Sequence, residues 1–148
     1  MGKLGAFVRI STGDRVRLLT AAVLLPVVRV ALAVISFARL RAGLVRVADS
    51  TASFIPGSPR PERIAWAVDA ADRTVPGDRT CLVRSLTTEA LLRAYGHDPV
   101  HRIGVDRSED GAVEAHSWIE YDGDVLIGQL DDLARYEPLP PLAGGDQP

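Results

Sequence analysis

At 148 residues and 47% hydrophobic content the chain can build one ordinary core, and a second domain does not fit. The net charge of -2 hides a division: eight basic and two acidic side chains in the first fifty residues give +6, and nine against seventeen in the remainder give -8. A lone cysteine excludes an internal disulfide, and with three histidines and no paired spacing a structural zinc site is disfavoured.

From Arg15 to Val47 the sequence is apolar with arginines spaced through it, and it reads as helix. Asp14 is expected to cap the first piece, and Pro26, which has no N–H to donate, to kink or break it. The uninterrupted apolar runs, Leu18 to Val28 and Val30 to Ala38, are separated by Arg29, and each falls short of the about 20 residues of a membrane span. No small-residue cleavage site marks a signal peptide. Two readings remain: a buried or partner-facing helical pair, which is favoured, and an interfacial helix making peripheral membrane contact through residues 15–47. The basic first segment suits an anionic surface or an acidic partner. The cytoplasm is the default compartment, with association at the membrane surface left open.

The chain divides into an N-terminal helical region over residues 1–50, a Ser/Pro/Gly-containing linker over 51–61, a core over 62–139 and an irregular tail over 140–148. Within the core, Ile64, Ala67 or Val68, Ala71 and Val75 recur at helical spacing, and Pro76-Gly77 ends that helix. Trp66 lies off the stripe, at the edge of the core or lining a cleft. The next helix starts at Thr80, a good N-cap, and stops at Gly96. Leu82, Val83, Leu86 and Ala90 share a face, and Glu89 pairs with Arg93 at i,i+4. The period then changes to two. Residues 99–105, 113–121 and 124–129 read as antiparallel strands, the last two joined by a type I′ turn at Asp122-Gly123, with a short helical turn over 130–136 and a Pro/Gly-rich irregular stretch from Glu137.

Cys81 falls at the N-terminus of the second core helix, where unpaired backbone N–H groups and the helix dipole favour the reactive thiolate. His116 lies in AHSWIEYDG, a strand whose alternation puts Glu114, His116, Trp118 and Glu120 on one face and Ala115, Ser117, Ile119 and Tyr121 on the other. A histidine on a strand facing a helix N-terminus can form a thiolate–imidazolium pair, imidazole acting first as base and then as acid. His97 and His101 lack such a setting and read as structural. Counting back from the Asp122-Gly123 turn puts His116 opposite Gln129, with Asp131 diagonal to it. Either could orient the imidazole, and a bulge would change the choice. The Cys81 N–H is the first oxyanion donor. No phosphate loop, metal-ligand cluster or RNA-binding motif appears, so neither cofactor nor metal nor nucleic acid is expected.

CLVRSLTTEALLRAYGHDPVHRIGV followed by AHSWIEYDG resembles the transglutaminase-like domain of lasso-peptide leader peptidases, over about Ile64 to Leu139. The resemblance implies an α+β fold with a papain-like core, a Cys-bearing helix on a small antiparallel sheet, preceded by apolar helices. It implies a bacterial cytosolic cysteine peptidase that removes the leader of a ribosomally made precursor, with Cys81 as nucleophile and His116 as base. The family's third residue is typically an Asp about a dozen residues after the His, a neighbourhood occupied here by Gly128-Gln129. Gln129 or Asp131 would then fill the third role, or none is needed. The implied partners are the precursor peptide, a separate small leader-binding protein of winged-helix type and the ATP-dependent macrolactam cyclase. The alternatives are a transglutaminase-like acyltransferase or amidase with the same thiol, and a non-catalytic scaffold of a peptide-modifying complex.

Overall fold

The computed structural model describes residues 9–75, 80–107 and 110–140. Helix α1 spans Thr12–Val34 without interruption. Its N-cap is Ser11, whose hydroxyl accepts the Asp14 N–H at 3.1 Å, and not Asp14 as expected. Asp14 is instead buried and binds Arg17 at 2.6 Å and Arg63, tying the start of α1 to the next helix but one. The expected break at Pro26 is absent. A mid-helix proline costs about 3 kcal/mol, but Ala21, Leu25 and Val28, on both sides of it, bury one continuous face. The chain breaks later, at Ile35 and Ser36, which are extended with ψ of 142° and 149° and lead into α2, Phe37–Thr51.

Helix α3, Pro61–Asp72, carries Pro61 in its first turn, where the missing N–H costs nothing, and buries Ile64, Ala67, Val68 and Ala71 as their spacing requires. The stop expected at Pro76-Gly77 lies outside the described residues. Helix α4, Cys81–Ala94, begins as the sequence indicates: the Thr80 hydroxyl accepts the Val83 N–H at 3.3 Å. Gly96, at φ 86°, closes its end. α4 is buried almost all round from Val83 onward, because α1, α2 and α3 pack on one side and the sheet on the other.

The sheet has the order β3-β2-β1-β4, with β1 Val100–Arg107, β2 Val113–Tyr121, β3 Asp124–Ile127 and β4 Glu137–Pro138. β4, two residues long, corrects the expectation of an irregular chain from Glu137: it pairs with β1 through Gly104↔Pro138 and Val105↔Glu137. A 3-10 turn at Leu133–Arg135 precedes it. Asp122 and Gly123 both have positive φ, 50° and 85°, as a type I′ turn demands. Tyr121 pairs with Asp124 and Glu120 with Val125, but Ile119 pairs with Ile127, so β3 carries one extra residue. That bulge corrects the register that set His116 opposite Gln129, since every pairing beyond it slips by one.

One hydrophobic cluster joins these layers: Ala21, Leu25 and Val28 from α1, Ile64 and Val68 from α3, Leu86 and Leu92 from α4, and Ile119 and Ile127 from the sheet. The N-terminal helices and the residues after 61 therefore share a single core. α2 is fastened to α4 by a buried ion pair, in which Arg41 donates to Glu89 at 2.6 and 3.0 Å.

Candidate active site

Cys81 is the first residue of α4 and is half-buried. The first N–H groups of a helix lack intrahelical partners and carry partial positive charge, and the Cys81 sulfur sits at that end of α4. One turn on, Arg84 reaches into a cleft of about 460 Å³. Its walls are Ala65, Trp66 and Asp69 of α3, the strand and loop from Val125 to Leu130, and His116. Arg84 is held by Asp69 at 2.7 Å and Asp72 at 3.4 Å. Arg63 lies 4.4 Å over the Trp66 ring and keeps the indole at the rim.

His116 is half-buried on β2, opposite Gly104 of β1. Its Nε2 lies 2.6 Å from the Gly128 carbonyl oxygen. The ring stacks on Trp118, with centroids 6.0 Å apart and planes 19° apart, and tilts against Tyr136 at 5.5 Å. Trp118 is buried although it shares a face with His116, because two glycines make room for it. A Cβ on Gly104 would come within 2.9 Å of the indole and 2.8 Å of the Tyr136 Cβ.

The face of β2 that packs onto α4 is that of Ser117 and Ile119, not the His116 face. Ser117 Oγ is 2.7 Å from His101 Nε2, and His101 Nδ1 is 2.7 Å from Glu89 of α4. His116 reaches the cleft where β3 has already ended, at Ile127. Among the described residues no hydrogen bond joins Cys81 to His116. His116 lines the cleft, whereas Cys81 is not among its lining residues; the part of α4 that reaches the cleft is Arg84, three residues further along. Gln129 is exposed, and its amide donates to the Leu130 carbonyl at 3.3 Å. Asp131 is exposed as well. Neither is hydrogen-bonded to His116.

His101, read from sequence as structural, is fully buried, with Glu89 and Ser117 beside it and the Phe37 ring edge-on at 6.0 Å. A carboxylate only accepts, so Nδ1 carries a proton toward Glu89. The Ser117–His101–Glu89 chain has the order of a hydrolase relay, but its hydroxyl is 3% exposed and the imidazole 0%, so no substrate reaches it. The signal for it in the sequence was thin: Glu89 falls among buried positions of α4, and His101 and Ser117 lie on paired strands. His97 accepts or donates nothing catalytic either; its Nε2 donates to the Pro59 carbonyl at 2.9 Å. Among the described residues no group of three or more His, Cys, Asp or Glu side chains could hold a metal ion.

A helix that opens on a cysteine, packed on a small antiparallel sheet bearing a histidine beside a cleft, defines the class of papain-like and transglutaminase-like α+β domains. The chain belongs to the transglutaminase-like superfamily, whose domain matches residues 22–140. That span starts inside α1 and includes α2, consistent with helices and sheet sharing one core. No match was found among curated proteins or among solved structures.

Proposed function

We propose that the protein is a cysteine peptidase that removes the leader from a lasso-peptide precursor, with Cys81 as nucleophile and His116 as proton carrier. The observation that carries the reading is the family assignment of a chain whose one cysteine opens the buried helix α4, the helix that also sends Arg84 into the cleft lined by His116. The superfamily includes cysteine peptidases and acyltransferases, and the CLVRS helix with the HSWIE strand resembles the leader peptidases.

In the proposed reaction the Cys81 thiol gives its proton to His116, and the sulfur adds to the scissile carbonyl carbon. The π pair moves to oxygen, which accepts a hydrogen bond from the Cys81 N–H. The C–N bond then breaks, and the imidazolium protonates the departing amine and leaves a thioester. Water adds to the thioester with His116 taking its proton, and the carboxylic acid departs as the sulfur is reprotonated. Mass spectrometry of a precursor incubated with the protein and its leader-binding partner tests this. The expected products are free leader and core peptide. A product carrying an added amine in place of water would identify the acyltransferase instead.

The partners of this reading are the precursor, a small winged-helix leader-binding protein and the macrolactam cyclase. A tethered leader raises the local substrate concentration, which suits an enzyme with a single modest cleft. α1 offers the surface for such docking. Val16, Leu19, Val23, Val27, Val30 and Val34 are 52–79% exposed, and at 100° per residue they share one face of the helix. By length and composition α1 could also cross a bilayer, but its opposite face is committed to the core. Val23→Glu with Val30→Glu should leave thermal stability within a few degrees and weaken capture of the leader-binding protein at least tenfold, measured by titration calorimetry. Unchanged protein affinity with lost binding to anionic vesicles would assign the stripe to a membrane surface.

A further inference from the structure

We infer that the group orienting His116 is the backbone carbonyl of Gly128, so that the site has a main-chain third member in place of Gln129 or Asp131. The inference deepens the peptidase reading and rests on it for its catalytic consequence, but the geometry stands by itself. A carbonyl oxygen can only accept a hydrogen bond. At 2.6 Å from His116 Nε2, it requires that nitrogen to carry the proton. The neutral ring then has its lone pair on Nδ1, the nitrogen left to take the thiol proton.

Three features fix this carbonyl in place. β3 carries an extra residue and its ladder ends at Ile127, so the Gly128 carbonyl lies just past the last pair and meets the His116 ring. Gly128 has φ 91°, in the region that disfavours side chains. A Cβ there would meet Trp118 Cβ at 2.7 Å and the Ser117 carbonyl oxygen at 2.8 Å. Glycine is therefore what allows the strand end to lie this close to β2 and to aim its oxygen at the ring. The rings of Trp118, stacked at 6.0 Å, and Tyr136, tilted at 5.5 Å, pack against the imidazole.

The test uses the full chain and two readouts. The first is the imidazole 15N spectrum of His116 at alkaline pH, with the ring neutral. The wild type and Gln129→Ala and Asp131→Asn variants should all show a single Nε2–H tautomer, and Gly128→Ala a mixture. The second is the rate of Cys81 alkylation by iodoacetamide across pH 5 to 9. Gln129→Ala and Asp131→Asn should follow the wild-type profile within about threefold, whereas Gly128→Ala should react at least tenfold more slowly at pH 7. An Nδ1–H tautomer in the wild type would overturn the inference. So would a tenfold or greater loss of alkylation rate in Gln129→Ala or Asp131→Asn accompanied by a change of tautomer. Should Gly128→Ala not fold, the wild type and the other two variants still decide the matter. An alkylation rate unaffected by His116→Ala in a protein with the expected tautomer would count against the peptidase reading alone.

Discussion

Cys81→Ala reduces precursor cleavage at least about 10³-fold, and His116→Ala does the same, because neither group of a nucleophile–base unit performs its step without the other. For that reason the double variant is expected to be no worse than either single one. Additive losses, each multiplying the other, would show that the two side chains act separately. The cost in stability should be small. Cys81 is half-buried at the helix terminus and outside the apolar cluster, and its replacement leaves the Thr80 cap and the Arg84–Asp69 pair in place. Thermal unfolding of Cys81→Ala should therefore stay within a few degrees of the wild type. Full cleavage by this variant, with its fold intact, would remove the thiol from the mechanism.

Most of what positions the site was legible locally. Thr80, Gly96 and the Asp122-Gly123 turn each impose a backbone geometry on a short stretch, and each does so in the structure. The burial of α3 follows from the spacing of its aliphatic residues, whereas which side of α1 is exposed does not, since that helix is aliphatic on both sides. What local reasoning missed depends on contacts distant in sequence. The bulge in β3 leaves no mark, because Val125, Leu126 and Ile127 are aliphatic whichever way they point, and the alternation that would fix register is lost. The continuity of α1 through Pro26 depends on the face that α3 and α4 cover. β4 exists only because β1 offers Gly104 and Val105 as partners to a Pro-containing segment with no strand signal of its own. The Gly128 carbonyl was illegible for a plainer reason. A main-chain acceptor has no letter in the sequence, so side-chain identity points only to Gln129 and Asp131.

Glu89→Leu destabilises the fold more than any substitution in the cleft, by about 3–5 kcal/mol, because it strands a buried cation. Glu89 is 1% exposed. Its two oxygens accept from Arg41 at 2.6 and 3.0 Å, from His101 Nδ1 at 2.7 Å and from Arg93 at 3.4 Å. Those contacts draw α2, α4 and β1 together. Burial alone would raise the Glu89 pKa, but the hydrogen bonds and charges of His101 and Arg41 outweigh it and hold the carboxyl below its ordinary value of 4.5. A carboxyl depressed in the folded state stabilises the protein above its unfolded pKa, and that contribution is lost as pH falls through the folded value. The gap in urea midpoint between wild type and Glu89→Leu should therefore be wide at pH 7 and narrow once pH drops below about 4.5 and on toward 3. Replacing Arg41 by Met in the Glu89→Leu background should recover part of the loss, since an apolar pair of similar volume leaves no unpaired charge. A gap that stays constant across this range would mean that the carboxylate's charge does not hold the three elements together, and that the loss comes from packing alone.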